Sequence, residues 1–102
     1  MLTPTNVPSA ALQLHLVPAG RRLDFECVPG CFAYVYRRQH QQAWQCVARN
    51  ACSPYFDYSL IARDSQLEYV VCYCDAAGNI KAATAITAAT PPAAVAASQQ
   101  VA

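Results

Sequence analysis

The chain has 102 residues, of which 13% are charged, and a net charge of +1. That length fits one small domain, and the near-neutral balance gives no electrostatic pull toward nucleic acid or an anionic membrane surface. No apolar run reaches the ~18 residues that a membrane helix needs, so membrane insertion is not expected either. The opening "MLTPTNVPSA" has no basic n-region and no apolar h-region, and so does not read as a signal peptide.

Taken in chain order, residues 1–10 are irregular, with Pro4 and Pro8. "ALQLHLV" then alternates, with Leu12, Leu14 and Leu16 on one face and Gln13 and His15 on the other, as in a half-buried strand. After the break "PAG", "RLDFECV" alternates again, with Leu23, Phe25 and Cys27 inward and Asp24 and Glu26 outward. "PG" at 29–30 makes a turn, and "CFAYVYRR" follows with the aromatic and β-branched residues that strands favour. "AWQCVAR" is a short strand around Trp44, "YFDYSLIA" another, and "LEYVVCYC" the longest. "DAAGN" is a turn, "IKAATAIT" closes the set, and Pro91 and Pro92 end it. The Ala-rich tail carries the composition of a short, marginal helix. Seven short strands with turn signals between them predict an all-β, antiparallel seven-stranded β-sandwich over residues 11–90. Arms 1–10 and 91–102 flank it. The inward phase of each strand predicts a core that includes Leu14, Leu23, Phe25, Val35, Tyr69, Val71 and Ile86.

"LDFECVPG", "AYVYRR", "SPYFDYSL" and "LEYVVCYCDAAGNIKAATAIT" together resemble a fibronectin type III domain of the bacterial and phage kind. The resemblance covers about residues 10–90. In it Leu67, Tyr69, Val71 and Tyr73 are the inward residues of the sixth strand, followed by Asp75, Gly78 and Asn79 of the turn. The chain departs from the family in lacking a Trp on the second strand, where Phe25 or Cys27 stands, and in its cysteine content. The resemblance implies an immunoglobulin-like sandwich and no reaction; fold does not fix function.

The sandwich topology places Cys27, Cys31, Cys72 and Cys74 at one pole, with Cys52 near it and Cys46 on a neighbouring strand. An even count of six cysteines predicts structural disulfides that compensate for a small core. Cys72 and Cys74 share one strand face, so each is expected to pair elsewhere rather than with the other. The alternative is tetrahedral zinc held by Cys27, Cys31, Cys72 and Cys74, though these are not the usual zinc spacings. Buried free thiols are a third option.

Other chemistry is sparse. His15 and His40 fall away from the cysteine pole, which argues against a Cys–His nucleophile. The carboxylates are scattered, with Asp57 and Asp75 expected at a strand end and a turn. The basic pairs Arg21-Arg22 and Arg37-Arg38 are expected as solvated strand ends. No cofactor and no enzymatic activity are expected. The aromatics Tyr34, Tyr36, Trp44, Tyr55, Phe56 and Tyr58 cluster in the middle third, and Tyr34, Tyr36, Trp44, Tyr55 and Tyr58 form a candidate interaction surface. The expected role is a non-enzymatic structural subunit, such as a decoration or tail-associated protein of a phage virion, with neighbouring protein subunits as partners and the virion as location. An extracellular spacer or carbohydrate-binding module of a bacterial surface protein or enzyme, with a surface glycan as ligand, is the alternative.

Overall fold

Period-two alternation sets most of the architecture. The computed structural model describes residues 9–59 and 66–88, and all regular structure there is β. The strands are β1 (Ser9–Ala10), β2 (Leu12–Val17), β3 (Gly20–Phe25), β4 (Phe32–Gln39), β5 (Gln45–Ala48), β6 (Tyr55–Asp57), β7 (Leu67–Cys74), β8 (Ile80–Thr84) and β9 (Thr87–Ala88). Each of the seven predicted runs supplies one of β2 to β8; β1 and β9 are two-residue additions. One sheet has the order β1-β8-β7-β4-β5, with β9 also on β7, and the other the order β2-β3-β6. Pairing is antiparallel except at β1, which runs parallel to β8. The sequence places residues 1–10 outside the domain; the structure takes Ser9–Ala10 into the large sheet through Ser9↔Ala83 and Ala10↔Thr84. The rest of that arm and the whole of 91–102 lie outside the described residues.

The two sheets face each other across one core. Leu23 comes from the small sheet, and Ala33, Val35, Leu67, Tyr69, Val71, Tyr73 and Ala82 come from the large one. Leu14 and Phe25 pack at its margin, half-buried. Ile86 is a correction: it is 46% exposed, because it sits in the gap between β8 and β9 where no strand carries the alternation forward. Cys27 is also exposed rather than inward, since β3 has already ended at Phe25.

A charged network ties the sheets together inside this core. Asp57 ends β6 and is 3% exposed. Arg37 Nη1, from β4 opposite, donates to both its oxygens at 3.1 and 2.9 Å. The hydroxyl of fully buried Tyr69 on β7 donates to Asp57 Oδ2. Ser59 adds its backbone N–H at 3.1 Å and its hydroxyl at 2.6 Å, both to Oδ1. Burial alone would raise the Asp57 pKa; the bonds from Ser59, Tyr69 and Arg37 outweigh it and hold the carboxyl at about 2. The expectation that both basic pairs are solvated therefore fails for one member of each. Arg21 is 3% exposed and the Arg37 side chain 14%, because alternation sends odd-numbered residues of β3 and β4 inward. Asp57 ends its strand as expected, and is buried there. Asp75 keeps its turn role, accepting from the backbone N–H of Ala77 and Asn79 at 3.0 and 2.9 Å ahead of Gly78 at φ 90°.

Gly20 makes room for this arrangement. A Cβ built there would stand 2.2 Å from the Asp57 carbonyl oxygen and 3.1 Å from Tyr58 Cα, both backbone atoms that cannot swing aside. Gly20→Ala should therefore push β6 off β3 and lower the unfolding free energy, measured by urea titration, by more than the ~1 kcal/mol typical of a point mutant.

Asp57→Ala should destabilise by roughly 3–5 kcal/mol, since it leaves the Arg37 charge buried without its counter-ion. The folded pKa of Asp57 lies below its unfolded value, so the stability it contributes is complete above about pH 5 and is lost as the pH falls toward 2, on the order of 2 kcal/mol in all. Urea titrations at stepped pH should show that loss in the wild type and a flatter profile in Asp57→Asn.

Candidate functional site

In a two-sheet sandwich each sheet has one face in the core and one outside. The outer face of the small sheet is polar: Gln13, His15, Arg22 and Asp24 are exposed or half-buried on β2 and β3. Arg22 pairs with Asp24 at 3.0 Å, and His15 lies 3.7 Å from the same carboxylate.

The outer face of the large sheet is different. The β4–β7 register sets Phe32 opposite Cys74, Tyr34 opposite Cys72, Tyr36 opposite Val70 and Arg38 opposite Glu68. On the flanks, Cys46 of β5 faces Tyr36 and Ala83 of β8 faces Cys72. Val70, Cys72 and Ala83 form a second apolar cluster, with Tyr36, Trp44 and Cys74 packed on it. Val70 is fully buried and Cys72 is 1% exposed, although both lie on the side of β7 away from the core. Burial drives the Cys72 thiol up to about 11, so it stays protonated and packs as a small hydrophobe. Phe32, at the end of this face, is 40% exposed.

Trp44 is the lid of this layer, and Arg38 holds it. The guanidinium sits 4.3 Å from the indole centroid while its Nε donates to Glu68 Oε1 at 2.7 Å. His40 Nδ1 lies 3.0 Å from the other Glu68 oxygen. The hydrogen bonds from Arg38 and then His40 lower the Glu68 pKa. This polar rim closes one end of a largely apolar and aromatic face, and at the other end Lys81 of β8 lies 3.7 Å from Asp75.

The candidate aromatic surface divides accordingly. Tyr34, Tyr36 and Trp44 share the outer face. Tyr55 does not: it packs against the inter-sheet core, and its hydroxyl lies 3.4 Å from the Val47 carbonyl. Tyr58 is 57% exposed just after β6, stacked on Phe56 with centroids 5.7 Å apart, on the small-sheet side. The Arg22 guanidinium lies 5.9 Å from the Phe56 centroid.

All six cysteines are free thiols in the structure, where disulfides were expected. They sort into two sets. Cys46, Cys72 and Cys74 belong to the outer face. Cys27, Cys31 and Cys52 line a cleft of about 320 Å³ at the pole, with Phe25, Val28 and Ser53 among its other walls. The zinc quartet is not assembled, and among the described residues no three His, Cys, Asp or Glu are grouped to hold a metal. The reason is alternation. Tyr73 points its hydroxyl inward to the Glu26 carbonyl at 2.7 Å, beside Cys27, so its neighbours Cys72 and Cys74 turn to the opposite face.

No protein-family model, curated protein or solved structure matches the chain. The geometry therefore stands by itself. The sequence left Cys72 and Cys74 with the pole cysteines; the parity of β7 carries them to the outer face, while two loops bring Cys27, Cys31 and Cys52 to the cleft.

Removing the lid should expose what it covers. In Trp44→Ala, Cys72 should react with a small thiol reagent at least about tenfold faster than in the wild type, with a stability loss near the ~3 kcal/mol of a buried large-to-small change. Unchanged Cys72 reactivity would show that Trp44 does not seal the layer.

Proposed function

We propose that this chain is a non-enzymatic structural subunit of the fibronectin type III-like class. Its role is that of an accessory protein, decoration or tail-associated, in a phage virion or similar assembly. The fold-type reading is supported by the strand order. β2, β3 and β6 form one sheet and β8-β7-β4-β5 the core of the other, which keeps the separation of an immunoglobulin-like sandwich. β5, the fourth of the seven predicted strands, lies beside β4 and not in the small sheet, unlike strand D of the constant-type immunoglobulin order.

The observation that carries the functional reading is the outer face of the large sheet. Tyr36, Trp44 and Cys74 pack on a buried layer of Val70, Cys72 and Ala83, and the β4–β7 register puts Tyr34 and half-exposed Phe32 on the same face. Tyr and Trp over an apolar centre, with charge only at the rim, is the composition of a protein–protein contact. The arms support the same reading: residues 1–10 and 91–102 carry no charged side chain, which suits contact with neighbouring subunits better than solubilisation.

The Phe56–Tyr58 stack favours the alternative, an extracellular spacer or carbohydrate-binding module, because it offers a flat aromatic platform to a sugar ring.

The full chain, tagged and supplied during particle assembly, should co-purify with particles at a fixed ratio to the major capsid or tail protein. Tyr34→Glu should lower that ratio about tenfold, equivalent to ~1.4 kcal/mol of docking energy, while keeping the circular dichroism of the wild type. A chain missing from particles that binds a glycan array through Tyr58 would replace this reading with the alternative.

A further inference from the structure

The pole cleft brings together three thiols from two separate loops. Cys27 lies in the β3–β4 connection, Cys31 at the edge of β4, and Cys52 in the β5–β6 connection. Two hydrogen bonds fix the β5–β6 loop on either side of Cys52. Ser53 Oγ accepts from the Phe25 N–H at 2.9 Å, and the Ala51 N–H donates to the Ala33 carbonyl at 2.8 Å. Cys52 is thereby held between the end of β3 and the start of β4, with Cys27 two residues beyond the first anchor and Cys31 two residues before the second. All three residues line the same cleft of about 320 Å³.

The two possible partners of Cys52 differ in freedom. Cys31 is half-buried, packs against the inter-sheet core, and has its N–H bonded to the Val28 carbonyl at 3.1 Å. Cys27 and Cys52 are both exposed, and both lie in irregular backbone that can adjust to bond geometry. Exposure also gives an oxidant access, which packed thiols lack.

We propose that Cys27 and Cys52 are a redox-responsive pair that closes into a disulfide when the chain meets an oxidising environment. The oxidant is a disulfide-bearing thiol compound such as glutathione disulfide. The Cys27 thiolate attacks one sulfur of the oxidant, forming a mixed disulfide and releasing one thiol. The Cys52 thiolate then attacks the Cys27 sulfur, the mixed disulfide breaks, and the second thiol leaves. The two cysteines lose two protons and two electrons, and one oxidant disulfide is reduced to two thiols. The bond links the β3 end of the small sheet to the loop that enters β6, and so staples the pole at which Tyr73 already holds Glu26. Cys31 stays reduced beneath it as a packed thiol.

The test uses the full chain, purified reduced and then equilibrated with glutathione disulfide. Cleavage after Arg and Lys puts Cys27 and Cys31 together in peptide 23–37 and Cys52 in peptide 50–63. Oxidised protein should yield these two peptides linked, with free thiols reduced by two, and fragmentation between Cys27 and Cys31 should place the link at Cys27. The link should persist in Cys31→Ser and vanish in Cys27→Ser and Cys52→Ser. The urea midpoint should rise on oxidation in the wild type and not in Cys52→Ser. A link located at Cys31 would overturn the proposal. So would peptide 50–63 recovered unlinked and fully alkylated after oxidation, or a link from Cys52 to the outer-face cysteines.

Discussion

Everything in this sandwich hangs on the way Asp57 is satisfied. A carboxylate that is 3% exposed is tolerated only when its lone pairs are filled and its charge is matched. Arg37 from β4 and Tyr69 from β7 supply that from the large sheet, and Asp57 itself belongs to the small one. The network therefore constrains the relative position of the two sheets in a way that apolar packing alone does not. Leucine and valine side chains tolerate sliding; a carboxylate gripped from both sides does not. Gly20 completes the constraint by letting β3 and β6 approach where Asp57 has its backbone.

With the sheets held in that position, the alternation along β4 and β7 has a second consequence. The inward residues Ala33, Val35, Tyr69, Val71 and Tyr73 fill the core. Beyond the Arg38–Glu68 pair at one end, the outward residues are then not the polar set of a solvated sheet but Phe32, Tyr34, Tyr36, Val70, Cys72 and Cys74. β7 is apolar on both faces, a pattern more familiar from strands covered on two sides. Trp44, pinned by Arg38, covers part of that second face, whereas the outer face of the small sheet carries Gln13, His15, Arg22 and Asp24, with Arg22 beside the exposed Phe56 ring. The molecule is thus two-sided, and the side that differs from a solvated sheet is the one built from its longest strands.

The cysteines follow the same logic. Three are carried to the outer face by their parity on β5 and β7, where burial keeps Cys72 neutral and inert. Three are gathered at the pole by loops, and the anchors around Cys52 are hydrogen bonds of neighbouring residues, not of the cysteine itself. Cys27, Cys31 and Cys52 meet, as the sandwich topology predicts, because two different loops end at one place.

What the sequence determined by itself is the part governed by local rules. Period-two alternation in "ALQLHLV", "RLDFECV", "CFAYVYRR" and "LEYVVCYC" gave the strands and the inward phase of Leu23, Val35, Tyr69 and Val71, and Asp-x-x-Gly-Asn gave the turn at Asp75. These depend only on neighbours a few residues apart. Tertiary structure alone decided the partners. Arg21 and Arg37 read as solvated charges until Asp57, 20 residues after Arg37, is brought beneath the opposing sheet. Cys72 reads as a staple until its face is known, and Tyr55 as surface until its ring enters the core. In each case the alternation says that a side chain shares a face with residues two positions away. Which face is inside, and what waits there, is set by contacts between strands far apart in the chain.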